Sequence, residues 1–125
     1  MAWTTLRTLA AQAAEAAPSN ASGFVALSGA DLFAVDANRL QYLEIAFGAL
    51  TLGGAPTSVT FAIWRDSDGQ IDRVGSTTIA AALAATPPPV VVAFHGQRAW
   101  VTVESFVGGT APTVAGVVRA RPVRV

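Results

Sequence analysis

The sequence predicts an all-β chain, an antiparallel β-sandwich or jelly-roll of about eight strands, and three observations carry that prediction. Apolar residues alternate with others along most of residues 22–122, the period of strands that bury one face. Turn-forming residues punctuate the chain at short intervals, as in a sandwich built of successive strands. Two stretches also repeat one plan. Residues 43–65 read LEIAFGALTLGGAPTSVTFAIWR and residues 100–121 read WVTVESFVGGTAPTVAGVVRAR. Each is an alternating run, a Gly-Gly-(Thr)-Ala-Pro-Thr turn and a second run ending in arginine. Gly53-Gly54 and Gly108-Gly109 supply positive φ, while Pro56 and Pro112 fix φ at the turn. Both stretches therefore read as β-hairpins.

The elements follow in order. Residues 1–21 form a short Ala-rich helix or an extended arm: Trp3, Leu6, Leu9/Ala10 and Ala13 share one helical face. Pro18 and Ser19-Asn20 would end a helix there. Residues 22–125 form the β-domain. Short strands are predicted at 23–27 and 32–36, then a long one at 40–52 with Leu43, Ile45 and Phe47 on one face. Residues 57–65 turn Val59, Phe61 and Ile63 inward. Asp66-Ser67-Asp68-Gly69 is a tight turn, and 71–79 returns as a strand. Residues 80–86 allow one helical turn before Pro87-Pro88-Pro89 extends the chain. The uninterrupted run 90–94, VVVAF, reads as a strand buried on both faces. Strands at 99–107 and 113–121 close the domain.

At 125 residues the chain is one domain. Charged residues make up 13% of it, about half the usual share of roughly 25%. A chain so short of charge exposes apolar surface, and such patches mark partner contacts. Net charge is zero but uneven. Residues 1–75 hold four Arg against seven acids, −3, and residues 76–125 hold four Arg against Glu104, +3. That leaves either chance or complementary faces between subunits, and too little positive charge for nucleic acid. There is no lysine, so the Lys/Arg charge is all arginine. A GC-rich genome explains that without physics, though arginine is also the cation that best tolerates interfaces. There is no cysteine, hence no disulfide or thiolate chemistry. No apolar run approaches the ~18 residues of a membrane span. Gln12 and Glu15 interrupt what would be a signal-peptide core, so a soluble, unexported chain is expected.

Candidate chemistry is sparse. Asp66, Asp68 and Asp72 match a calcium loop only in part, because Gln70 and Thr77 occupy the positions of its third and last side-chain ligands. His95 is the single histidine, too few for a His-based zinc site. No G-x-S-x-G elbow accompanies it, and no phosphate loop is present. No catalytic residue, metal or cofactor is therefore expected. The Asn20-Ala21-Ser22 sequon reads as accidental. Trp64 falls out of phase with Val59, Phe61 and Ile63, and Trp100 shares its face with Thr102 and Glu104. These tryptophans are either tucked under loops or displaced by a bulge, or else exposed beside Arg65 and Arg98 as anchors. Arg119 and Arg121 share the outer face of the last strand, with Arg124 just beyond it.

The hairpins TSVTFAIWRDSDGQIDRVG and RAWVTVESFVGGTAPTVAGVVRARPV, the Ala-rich arm and the low charge give the chain a resemblance to small virion proteins of tailed bacteriophages, of the head-decoration or cement type. The resemblance covers roughly residues 22–122 and includes no diagnostic motif. It implies a homo-oligomer, a trimer by preference, made in the host cytoplasm and bound to the major capsid protein on the outer surface of the virion. Nucleic acid and membrane are not implied as partners. On that reading Trp3, Leu6 and Leu9 of the arm would order on a neighbour. Trp64, Arg65, Arg98, Trp100, Arg119 and Arg121 would complete the interface, and deletion of residues 1–18 would leave the fold intact. Two rivals are a carbohydrate-binding module using Trp64, Trp100 and Tyr42, and a small hydrolase pairing His95 with a carboxylate.

Overall fold

The computed structural model describes residues 3–19, 23–27, 41–95 and 98–123. The strands are β1 (Thr4–Gln12), β2 (Val25–Ala26), β3 (Gln41–Phe47), β4 (Thr51–Gly53), β5 (Ser58–Ser67), β6 (Gln70–Ala80), β7 (Val90–Phe94), β8 (Arg98–Val107) and β9 (Thr113–Val123). One 3-10 turn, Ala81–Leu83, interrupts them, and there is no α-helix among the described residues. Two antiparallel sheets result, ordered β1-β9-β3-β7 and β2-β8-β5-β6, with β4 pairing beside β9 in the first. This interleaving is the jelly-roll order. The strand expected at 32–36, Asn20 and Arg124 lie outside the described residues.

Register shows how the order arises. Tyr42 to Gly53 pair with Val123 back to Thr113, and Ser58 to Asp66 pair with Val107 back to Arg98. The two long segments are thus one ribbon, folded across its middle so that its halves lie in opposite sheets. On the other flank β6 and β7 follow the same bend, paired with β5 and β3. Between them, β5 and β6 form a true hairpin. Asp68 and Gly69 both have positive φ, 52° and 85°, the type I′ geometry that suits strand twist.

The two Gly-Gly-Ala-Pro turns are not hairpin turns. β3 and β4 belong to one sheet and β5 to the other, and β8 and β9 are divided in the same way. Each turn is a corner that carries the ribbon from sheet to sheet, and the corners run past each other in opposite directions. The Thr110 amide donates to the Gly54 carbonyl at 2.9 Å, and the Thr57 amide donates to the Val107 carbonyl at 2.8 Å. Gly54 and Gly109 sit at φ 78° and 82°. A Cβ on Gly109 would meet the Gly54 oxygen at 2.7 Å and the Pro56 nitrogen at 2.9 Å. Each corner is the other's packing surface, so both meet the same demands from the same residue types.

The core fills the space between the sheets. Leu43, Ile45 and Phe47 face Val59, Phe61 and Ile63, with Val101, Val103, Val114 and Val118 around them. The Phe47 and Phe61 rings lie 4.7 Å apart. Each such side chain contributes about 1.5–3 kcal/mol by leaving water. The run 90–94 differs from expectation. Val92 and Phe94 are buried but Val91 is 52% exposed, because alternate residues of β7 face the core and the solvent.

Of the two readings of the N-terminal segment, the helix is corrected and the extended form is not a separate arm: residues 4–12 are a strand that pairs with β9. A regular strand would turn Leu6 and Leu9 to opposite faces. The register shift between Thr5 and Arg7, at Leu6 itself, lets both face inward, as a β-bulge does, and a second shift lies between Leu9 and Gln12. Both leucines are buried in the core. Ala11, within the second shift, has φ 57°, a left-handed conformation that costs a non-glycine residue about 1–2 kcal/mol.

Candidate interaction surfaces

Bending the chain this way sorts its charges. The corners (48–57 and 108–112) and the 3-10 turn with its proline run (81–89) lie at one end of the sandwich and contain no charged residue. Backbone bonds tie the three connections together: the Ala81 amide donates to Thr57, Thr57 to Val107, and Leu50 to Ala84. The buried Pro56 sits among them. Leu83 and Val107 remain exposed there, at 47% and 59%. Their positions follow from the connections: Leu83 sits in a single turn with no room to bury it, and Val107 ends β8 where the corner begins.

The other end of the β5–β6–β8 sheet is charged and internally matched. Asp66 is buried, and its two oxygens accept from the Gly69 amide at 2.9 Å and from the Arg98 guanidinium. Arg65 donates to the His95 carbonyl and to Asp72 at 3.1 Å, and its guanidinium lies 3.2 Å from His95 Nδ1. Midway along the same sheet Arg73 and Glu104 pair at 2.7 Å across β5. The candidate metal loop is therefore a capped turn with Asp66 committed to internal partners. His95 packs against a guanidinium, not a carboxylate as the hydrolase reading required. Among the described residues no three His, Asp or Glu side chains gather as a metal site would need.

Removing Arg98 strands the Asp66 carboxylate in a buried position. Arg98→Ala is expected to cost about 2 kcal/mol, below the 3–5 typical of a fully buried pair because Arg98 is partly solvated. Urea unfolding measures it, and adding Asp66→Asn should recover most of the loss. An Arg98→Ala protein as stable as wild type would show the pair to be inconsequential.

The residues expected at an interface are dispersed. Leu6 and Leu9 belong to the core of their own chain and cannot anchor a neighbour from this position. Trp64 and Trp100 are cross-strand partners on β5 and β8, and both are half-buried. The Trp64 indole donates to Thr102 at 2.9 Å, beside the register shift after Ile63. Trp100 lies under Arg7, 5.0 Å from its ring centroid, and beside Phe24. Tyr42 is on β3, in the other sheet, so the three aromatics proposed as sugar platforms do not share a surface. Arg65 and Arg98 are engaged as described.

The outer face of the β1-β9-β3-β7 sheet holds the remainder. Arg121 bonds Glu44 at 2.6 Å, and Trp3 stacks over its guanidinium at 4.4 Å. Arg119 is exposed on the same strand. The sequence did not mark Leu83 or Val107. The absence of charge from all three connections was its one available signal, and it becomes visible only when the fold gathers them. No family model, curated protein or solved structure matches the chain, so its own surface must carry the functional reading.

Proposed function

We propose that the protein is a non-enzymatic structural subunit that binds an assembled protein lattice, as a capsid decoration or cement protein on the outer surface of a virion. The observation that carries the reading is the uncharged end of the sandwich, where two corners and the proline run expose Leu83 and Val107. Such a surface is weakly hydrated and rigidly held, and burying it against another subunit releases water without stranding a charge. Jelly-rolls serve viral capsids but also lectins and cupins, so the fold alone does not carry the reading. Self-association into a trimer is the assembly the resemblance implies.

The test is the mass in solution by light scattering over a wide concentration range. Wild type is expected as an oligomer. Leu83→Asp and Val107→Asp should each shift it to monomer, with unfolding midpoints nearly unchanged because both side chains are exposed. Wild type monomeric throughout, or an oligomer indifferent to both charges, would sink the proposed role of this end.

A further inference from the structure

We infer that β1 can exchange between two copies of this chain, each lending its N-terminal strand to the β9 edge of the other. The inference is independent of what the uncharged end binds. β1 lies at a sheet edge and, among the described residues, pairs only with β9, so a second copy of β1 can make every contact the first one makes. A bound strand is required there, because Leu6 and Leu9 complete the core.

The hinge is what favours exchange. Beyond Leu9 the chain runs through Ala10, Ala11, Gln12, Ala13 and Ala14, all exposed except for half-buried Gln12. Within it the register slips and Ala11 is held at φ 57°. Opening this connection into an extended link releases an unfavourable conformation and gives up little packing. Short hinges under strain drive exchange for that reason.

On the far side of the hinge the chain is pinned to β8. The Glu15 amide donates to the Val103 carbonyl at 2.8 Å, and its carboxylate accepts from the Val103 amide at 3.0 Å. Arg7 of β1 closes the hinge through a two-pronged pair with the same carboxylate, at 2.6 and 2.8 Å, and also donates to the Val101 carbonyl at 3.1 Å. In the exchanged dimer this pair forms between copies. The lock is kept while the strain is lost.

Thr8 and Val117 are register partners on β1 and β9. The Val117 carbonyl accepts from Gly48 on its other side, so they form a non-hydrogen-bonded pair, with Cα atoms about 4.5 Å apart and within disulfide reach. The chain has no cysteine of its own to interfere. The full-length Thr8→Cys/Val117→Cys protein is oxidised after equilibration at rising concentrations and run on a non-reducing gel, beside each single variant.

Exchange predicts a covalent dimer from the double variant alone, growing with concentration. Ala11→Pro cannot reach φ 57° and should increase it. Ala11→Gly adopts that angle freely and should reduce it, by roughly tenfold per hinge. Only intramolecular disulfides in all three hinge backgrounds would overturn the inference. If chains locked in that way still associate by light scattering, exchange has failed and the assembly role of the uncharged end stands.

Discussion

Alanine in place of Gly109 is expected to destabilise the protein by about 3 kcal/mol or more, whereas Gly69→Ala should cost about 1. The two glycines have nearly the same φ, 82° and 85°, so the positive-φ penalty is common to both. What differs is the surroundings. A Cβ at Gly69 meets nothing within 4 Å, while one at Gly109 is driven into the Gly54 oxygen and the Pro56 backbone. Neither of those can move without breaking the bond from Thr110 to Gly54. Chemical unfolding of the two variants side by side measures the difference. Equal losses would mean that the corners do not brace each other. Against a total stability of about 5–15 kcal/mol, the Gly109 change threatens folding at physiological temperature.

Deleting residues 1–12 should be at least as damaging. The deletion removes Leu6 and Leu9 from the core and leaves the apolar edge of β9 unpaired. Even Leu6→Ala alone should cost about 2–5 kcal/mol through lost burial and the cavity left behind. The expected result is a truncated protein that aggregates or melts far below wild type, with Leu6→Ala between them. A truncated protein with an unchanged thermal midpoint would return the segment to the status of an accessory arm. The expectation from sequence, that residues 1–18 are dispensable for the fold, is replaced by this one.

The reasons for that reversal show what a sequence can convey here. Strands β3, β5, β6, β8 and β9 are legible because period-2 alternation and turn chemistry are local properties. The Asp68-Gly69 hairpin is legible for the same reason. The corners are legible as turns but not as corners, since Gly-Gly-Ala-Pro satisfies the backbone of a hairpin equally well. Whether the flanking strands pair with each other or with distant partners is decided by the whole sheet. Leu6 and Leu9, three apart, fit one face of a helix as well as they fit a bulged strand, and alanine-rich neighbours do not separate the two. The phase of the tryptophans does not say what covers them: Trp64 sits beside a register shift, and Trp100 lies against Arg7 from another sheet and Phe24. No spacing rule predicts that contact.

The folded ribbon also sets an order of events in time. The β5–β6 hairpin closes across two residues, whereas Glu44 must find Arg121 and Thr4 must find Ala120. Pairings this distant in the chain place the protein among the slower folders, in the millisecond-to-second range. β1 precedes every other described strand and β9 follows them all, yet each is the other's neighbour. During synthesis β1 has no partner until β9 has been made. Until then Leu6 and Leu9 are uncovered, and nascent chains on one polysome carry the same sticky strand side by side.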